Sequence, residues 1–300
     1  MSDPHPFTDT RVRLDFSRAR LMASLRATLA TLRGETNQLL TFDEVREKLR
    51  VGGPIYRGIQ QVPLSKIVGS VDRYHDFDRA FLPLNDRLAD RWRSINRAFY
   101  QDVSLPPVLL YKVDDAYFVV DGHHRVSVAR EHGQTYIDAD VRQCSVSVPV
   151  GANVTADDLI SLGQQVEFYE RTHINQLRPN NNILVTVLGG YDRMLEHIAV
   201  HRYFMGLDFN RDISTEEAVS HWYDQVYATI VTVLDRNHVS QAFPRRTLSD
   251  VYLWVLDHQH FLAAEHGPEH LATPEQAAET FVELVQGDAT TDTLPLEDTD

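Results

Sequence analysis

The pentapeptide Asp121–Arg125 (Asp-Gly-His-His-Arg) concentrates side chains that bind anions and move protons. It follows an apolar run, 116–120, and precedes a short helical pattern, 126–132. A strand that passes through a glycine into a helix offers a ligand unpaired N–H groups and the positive end of the helix dipole. Gly122 lets the backbone approach that ligand, and Arg125 can bind a phosphate through two N–H groups. The pattern predicts a phosphate site, although an ordinary strand-to-helix turn with exposed polar residues has the same spacing.

The wider segment 62–141 resembles the ParB/sulfiredoxin superfamily in the order of its elements. Its opening, Val62–Ile67, is similar to the first strand and turn of ParB N-terminal domains. Gly69–Tyr74 is similar to the segment that carries a phosphate-contacting arginine, which is Arg73 here. At the pentapeptide, ParB proteins have Gly-Glu-Arg-Arg and sulfiredoxins have Gly-Cys-His-Arg. Free serine kinases have Asp-Gly-His-Thr-Arg, which is the pattern that this chain matches best.

The resemblance implies a nucleotide site at this turn. It implies a nucleoside di- or triphosphate, such as ATP or CTP, that binds with Mg²⁺. The metal is expected to be held through the nucleotide and Asp121, without a dedicated set of protein ligands. Asp121 and His123 take the catalytic roles, and positive potential is expected from the histidine, the arginine and the helix N-terminus. The implied phosphate and nucleotide contacts are Ser70, Arg73, Gly122, His123, His124 and Arg125.

Two departures from these families restrict what the resemblance implies. His123 stands where sulfiredoxins have their catalytic cysteine, so sulfiredoxin chemistry is excluded. Serine kinases have a catalytic glutamate just after the first turn, whereas residues 67–70 of this chain include no acid. Asp72, Asp76 and Asp78 are the nearest carboxylates that could replace it.

Three functions are compatible with these residues. The first is phosphoryl transfer or nucleotide hydrolysis, with an unknown small molecule or protein as the acceptor and Asp121 as the base. The second is a non-catalytic ParB-like module in which the nucleotide changes the contacts to a partner. The third is a ParB-like nuclease. For Asp121 itself, the simpler alternative is a carboxylate that caps the following helix.

The composition restricts the partners and the compartment. The chain has 300 residues and a net charge of −14, and removal of the acidic tail 287–300 still leaves −9. Such an acidic body is a poor match for the phosphates of nucleic acid, so DNA binding is not expected. No apolar run has the length of a membrane span, no N-terminal signal segment is evident, and Cys144 is a lone cysteine expected to be buried. A cytoplasmic protein without membrane contact is predicted, and homo-oligomerisation is left open.

The hydrophobic patterns predict an α+β protein in four parts. These are N-terminal helices in 1–55, a ParB/sulfiredoxin-like α/β domain in 56–150, a mostly helical domain in 151–286, and a disordered acidic tail in 287–300. The first ten residues are also expected to be disordered. Seven apolar residues recur at helical spacing and predict an amphipathic helix over about 14–33: Leu14, Phe16, Leu21, Met22, Leu25, Leu29 and Leu32.

Turn and cap signals place further elements. Asp114 and Asp115 separate two apolar runs, so 108–120 is expected to be a hairpin. Residues 183–188 read as a short strand or an extended run. Four capping boxes or caps predict helix starts, at Thr41, Ser214, Thr247 and Thr273.

The remainder of the chain resembles a bacterial family of unknown function, and this resemblance implies no activity. The segments that carry it are Glu196–Tyr203, Glu217–Val219 with Trp222–Asp224, and Phe243–Thr247 with Asp250 and Tyr252–Trp254. In the first of these segments, His197 and His201 are four residues apart, so both side chains can lie on the same face of a helix. A zinc site would need a third ligand from elsewhere in the chain. The alternative is a polar helix face on which the histidines pair with carboxylates such as Asp224 or Asp257.

Overall fold

The computed structural model describes residues 6–34, 36–266 and 272–288, which belong to two compact units. The first unit spans Met1–Leu162 and the second spans Gly163–Asp300. The first combines a six-stranded sheet with helices, and the described part of the second consists of helices and connecting segments. The predicted α+β class is therefore confirmed. The predicted disorder of the two termini is wrong where the structure describes them: residues 6–10 begin the helix Pro6–Arg33, which an ion pair between Asp9 and Arg97 attaches to the unit, and residues 287–288 end the helix Pro274–Asp288. The rest of both predictions, residues 1–5 and 289–300, lies outside the described residues.

The first unit is built on one mixed sheet with the strand order β1-β3-β5-β4-β6-β2. Its strands are β1 Leu40–Thr41, β2 Pro54–Pro63, β3 Ile67–Ser70, β4 Val108–Val113, β5 Ala116–Asp121 and β6 Tyr136–Cys144. The antiparallel pair of β4 and β5 confirms the predicted hairpin. β3 runs parallel to β5, so the two strands end at the same edge of the sheet, at Ser70 and Asp121. The topology therefore brings the segment after β3 beside the turn that follows β5.

Four helices accompany this sheet: α1 Pro6–Arg33, α2 Phe42–Lys48, α3 Ala89–Tyr100 and α4 His123–Glu131. Thr41 caps α2 as predicted, because its side chain accepts a hydrogen bond from the N–H of Glu44. Trp92 of α3 is fully buried, and its indole N–H donates to the hydroxyl of Ser127 in α4 at 2.9 Å. A buried indole with a satisfied N–H fixes the position of α3 beside α4, which begins at the candidate turn.

The first helix is confirmed, but its buried face is not the leucine-rich one. Phe16 packs edge-to-face on Trp92 with ring centroids 5.5 Å apart, and small residues around it complete the contact with α3. The buried residues of α1 are Val12, Phe16, Ala19 and Ala23. The other apolar residues of the predicted stripe are between 43% and 78% exposed: Leu14, Leu21, Met22, Leu25, Leu29 and Leu32. α1 therefore has one apolar face on α3 and a second one in solvent.

Helices of the second unit enclose an aromatic core that includes the buried Trp222 and Tyr252. Their bounds are α5 Asp158–Thr172, α6 Ile174–Leu177, α7 Gly190–Phe209, α8 Thr215–Trp222, α9 Ala228–Arg236, α10 Leu248–His266 and α11 Pro274–Asp288. A π-helical turn, Tyr223–Tyr227, joins α8 to α9 without a break in the helical backbone. The start of α5, Asp158–Leu162, belongs to the first unit.

The run 183–188 forms no strand; the extended alternative is correct. Side chains at the start of α10 take the place of a neighbouring strand as hydrogen-bond partners. The fully buried carboxylate of Asp250 accepts from the N–H of Thr186 at 2.8 Å and of Val187 at 3.2 Å. The hydroxyl of Ser249 accepts from the N–H of Leu184 at 3.2 Å. Since every buried backbone donor needs a partner, these two residues fix the segment against the helix.

The structure also bears on the expected burial of Cys144 and on the expected absence of a membrane-spanning helix. Cys144 is buried at the end of β6, as predicted. Among the helices that the structure describes, none is long and apolar enough to cross a bilayer.

Candidate functional site

The turn between β5 and α4 has a backbone that glycine alone tolerates well. Gly122 has a φ of 102° and precedes the first helical residue, His123. A Cβ atom on Gly122 would lie 2.5 Å from a methyl carbon of Val108, closer than real Cβ contacts. No side chain caps α4. The turn therefore has the open helix N-terminus that an anion site requires.

A cavity of about 750 Å³ opens at this turn. Three segments line it: the loop after β3, the helix start near α3, and the turn itself. Seven charged side chains reach it, four arginines and three aspartates: Arg73, Arg87, Arg91, Arg125, Asp72, Asp76 and Asp121. Guanidinium groups bind phosphates in a forked geometry, so the lining suits a polyanion.

Ser70 lies behind the wall of this cavity and positions two of its members. The serine is fully buried, and its hydroxyl oxygen accepts the backbone N–H of Arg73 at 2.9 Å. The same oxygen lies 2.7 Å from Nε2 of His123. Of the residues expected to contact phosphate, Ser70 is thus placed to hold the arginine segment and the histidine rather than to line the cavity.

The two histidines of the turn are neutral at pH 7. Burial lowers the pKa of His123 and the pKa of His124 to about 4 each, and the positive charge of Arg73 acts in the same direction. Nε2 of His124 lies 3.5 Å from an Nη atom of Arg73, and its Nδ1 is buried without a hydrogen-bond partner. The rings therefore serve as hydrogen-bonding groups, and the positive potential expected of His123 comes from the arginines instead.

An ion pair between Asp121 and Arg125 joins the end of β5 to the first turn of α4. An Nη atom of Arg125 donates to Oδ2 of Asp121 at 2.5 Å, and its other Nη donates to the carbonyl of Pro107 at 2.8 Å. The Arg125 side chain is only 13% exposed, whereas that of Asp121 is 75% exposed. Asp121 does not cap the helix, which removes the simple alternative for this residue. Its carboxylate lies at the mouth of the cavity, with Oδ2 held by the arginine.

Asp76 connects the loop after β3 to the start of the α3 region. It accepts from an Nη atom of Arg87 at 2.6 Å and lies 3.8 Å from an Nη atom of Arg73. Burial opposes its ionisation, but hydrogen bonds from Arg87 and Asn85 outweigh that effect and lower the pKa of its carboxyl. Asp78 is different: it is fully buried and holds its own loop by accepting the N–H of Leu82 at 2.8 Å.

Two of the cavity's arginines, Arg87 and Arg91, were not predicted from the sequence. Arg87 lies in a 3-10 turn, Asp86–Leu88, and Arg91 lies in the first turn of α3; both line the cavity. Arg91 is exposed, lines the cavity and forms no ion pair with any residue that the structure describes. The spacing of the two arginines was the available signal, but only the packing of α3 beside α4 shows that they face the turn.

His197 and His201 of the second unit contact a tyrosine and another histidine rather than the carboxylates that were expected. Nδ1 of His197 lies 3.2 Å from the hydroxyl oxygen of Tyr252. Burial lowers the pKa of the His197 imidazole to about 4. Nε2 of His201 lies 2.8 Å from Nδ1 of His221. The expected partners Asp224 and Asp257 bind arginines instead. Across the described ranges, no group of three or more His, Cys, Asp or Glu residues is arranged to hold a metal.

Comparisons with known proteins give weak structural similarity. No family model matches the chain, and no curated protein matches it. A solved structure, sulfiredoxin from Arabidopsis thaliana, aligns with 30% of this chain and 89% of its own length, at 21% identity and a TM-score of 0.24. A similarity at this level says nothing of what the chain binds, so its function must be argued from the residues of the site.

Proposed function

We propose that the cavity at the Asp121–Arg125 turn binds the phosphate groups of a nucleotide. One observation supports this most: four arginines from three separate segments converge with the open N-terminus of α4 on one cavity, in a chain of net charge −14. Three aspartates line the same cavity, so its four arginines leave one positive charge in excess. A locally positive cavity on an acidic protein attracts a compact anion.

The residues would divide the phosphate contacts among them. The first N–H groups of α4 bind oxygens of one phosphate, because such groups have no partner within a helix. Arg73 and Arg91 neutralise the remaining charge, and Arg87 acts from the opposite side of Asp76. The neutral His123 and His124 add hydrogen bonds, which strengthen as a phosphate enters their buried surroundings.

Magnesium fits this arrangement only together with the nucleotide. Mg²⁺ prefers oxygen ligands and is commonly held by one or two carboxylates plus substrate phosphates. Asp121 and Asp72 supply carboxylate oxygens at the same cavity, and both are exposed. When bound, Mg²⁺ would neutralise charge on the phosphate oxygens.

We further propose that Asp121 accepts a proton from a hydroxyl or from water that attacks the terminal phosphate. Arg125 holds Oδ2 of the carboxylate, while Oδ1 forms no hydrogen bond within the part of the chain that the structure describes. One oxygen is thus fixed and the other remains available as a base, an arrangement that suits phosphoryl transfer or nucleotide hydrolysis.

A non-catalytic, nucleotide-gated module is the second candidate, and the same ion pair favours it. The Asp121 carboxylate already binds Arg125 through Oδ2, so it can serve to orient that arginine towards a phosphate without taking part in chemistry. In such a module, phosphate binding to Arg73 and α4 would change the loop after β3 and the contacts it makes with a partner.

Nucleotide binding is tested by thermal shift and calorimetry with the common nucleoside di- and triphosphates and Mg²⁺. A ligand that binds the folded chain raises its stability in proportion to ln(1 + [L]/Kd). Arg91→Gln should weaken binding by about tenfold or more, since a hydrogen bond to a charged group contributes roughly 1.5–3 kcal/mol. Arg142→Gln removes an exposed arginine of β6 outside the cavity and should have no effect. The proposal fails if no nucleotide binds, or if both variants bind as the wild type does.

A further inference from the structure

The solvent-facing side of α1 is a continuous apolar surface. Six large side chains form this leucine face, with exposed fractions between 43% and 78%: Leu14, Leu21, Met22, Leu25, Leu29 and Leu32. The opposite side of the helix, around Phe16 and Ala19, is buried in the first unit. Single exposed leucines are ordinary on a protein surface, but a contiguous row of six indicates a contact that this chain does not satisfy by itself.

The spacing of the leucine face matches a coiled-coil seam. Leu14, Leu21, Leu25 and Leu32 are separated by seven, four and seven residues, which are the intervals between a and d positions of heptads. In this frame the two remaining positions of the seam are Arg18 and Thr28. The seam therefore has four leucines, one cation and one small polar residue, over about 27 Å of helix.

The order of these residues is symmetric about position 23. Leu14 and Leu32 are equally distant from that position, as are Leu21 and Leu25, and as are Arg18 and Thr28. When a second copy of α1 lies antiparallel across a two-fold axis at this level, leucines face leucines in four layers. Arg18 of each copy then faces Thr28 of the other, and the two cations are kept apart. A parallel pair would stack Arg18 on Arg18 in the seam, where two like charges repel.

We infer that two copies of this chain associate through the leucine faces of their α1 helices, in the antiparallel register that places Leu14 opposite Leu32. The contact is isologous, so it closes into a dimer. A basic helix with an apolar face also has the composition of a lipid-surface binder. The heptad intervals and their two-fold symmetry favour a second helix, because a bilayer requires neither.

Sedimentation equilibrium of the full-length chain, from about 1 to about 200 µM, tests the association. The wild type should dimerise, and Leu21→Glu/Leu25→Glu should weaken dimerisation by at least about a hundredfold, because each change places charge in two layers of the interface. Leu188→Glu is the control, because Leu188 is 75% exposed in the second unit. A wild type that is monomeric throughout overturns the inference, and so does a double variant that dimerises like the wild type.

Cysteine cross-linking tests the register and is independent of whether the glutamate variants fold normally. The native Cys144 is buried and does not interfere. A mixture of Leu14→Cys and Leu32→Cys proteins should form a disulfide-linked heterodimer, whereas Leu14→Cys alone should not cross-link. Self-cross-linking of Leu14→Cys without the mixed product would show a parallel pair and contradict the register. A monomeric wild type that floats with vesicles of phosphatidylcholine and phosphatidylserine would assign the leucine face to lipid and overturn the dimer.

Discussion

The hydroxyl oxygen of Ser70 lies 2.7 Å from Nε2 of His123, and it also accepts the backbone N–H of Arg73. One buried atom at the end of β3 thus connects the loop that carries a cavity arginine to the first turn of α4. Because both contacts depend on the same oxygen, the loop and the helix start keep a fixed separation. The width of the candidate phosphate site is set by a residue that does not line it.

Removal of this oxygen should widen the site. Ser70→Ala leaves the N–H of Arg73 and the imidazole of His123 without a buried partner, so we expect a loss of about 1–3 kcal/mol in the free energy of unfolding. Nucleotide affinity should fall as well. Ser127→Ala is the control, because it also removes a buried hydroxyl, but the hydrogen-bond partner of that hydroxyl, Trp92, does not line the cavity, whereas Arg73 and His123 do. Urea denaturation and calorimetry separate the two effects: equal affinities for both variants would contradict the positioning role of Ser70.

Gly122→Ala should be more harmful than an ordinary substitution at a left-handed glycine. The new Cβ both prefers a negative φ and overlaps Val108, which is 2.5 Å from its position. Gly133→Ala meets the same conformational cost at a φ of 67°, but no atom lies within 4 Å of its Cβ. We expect about 1–2 kcal/mol of destabilisation at Gly133, and about 1–3 kcal/mol more at Gly122 from overpacking. Equal urea midpoints for the two variants would show that the Val108 contact relaxes freely.

Asp121→Asn distinguishes the two proposed functions, a phosphate-transferring or hydrolysing enzyme and a non-catalytic, nucleotide-gated module. Its side chain is 75% exposed, so loss of the ion pair with Arg125 should cost at most about 1 kcal/mol of stability. If Asp121 is the base, release or transfer of phosphate should fall by about 10²-fold or more while nucleotide affinity changes little. Steady-state turnover and calorimetry on the same preparation give both numbers. If the wild type binds nucleotide but turns over none with every acceptor tried, the catalytic proposal fails and the non-catalytic, nucleotide-gated module is the function.

Stability should decline in mild acid because of buried histidines. The pKa of His197 is lowered from 6.5 to about 4 by burial, so between these values only the unfolded chain binds the proton. The free energy of unfolding is then unaffected above pH 6.5 and falls as the pH falls towards 4, by on the order of 3 kcal/mol for this group. His197→Gln should reduce that slope in urea titrations followed by tryptophan fluorescence. A pH dependence identical to that of the wild type would show that His197 remains accessible to protons when folded.

Local signals in the sequence predicted most of the elements around the site. The apolar runs 108–113 and 116–120 and the glycine after them predicted the hairpin and the turn, because these depend on neighbouring residues alone. Side-chain caps were found where they were expected, at Thr41 and Ser214.

Properties that depend on tertiary packing were not predictable in the same way. The helical periodicity of α1 selected residues from both of its apolar faces, because it does not distinguish a face that packs in the unit from one in solvent. It therefore could not show that Phe16, rather than Leu21, packs against α3. The protonation of His123 depends on burial by elements far away in the chain. Arg91 joins the site only because α3 packs beside α4.

The edge position of β2 has a consequence for the synthesis of the chain. In the described sheet β2 pairs only with β6, and Pro63 of β2 lies opposite Tyr136 of β6. The ribosome adds about 5–20 residues per second, so several seconds pass between the synthesis of β2 and the synthesis of its partner strand β6. During that interval an unpaired strand with Ile55, Tyr56 and Ile59 can pair with other chains, as exposed edges do. The yield of folded protein should therefore depend on preventing contacts between unpaired β2 strands of different nascent chains until residue 144 has left the ribosome.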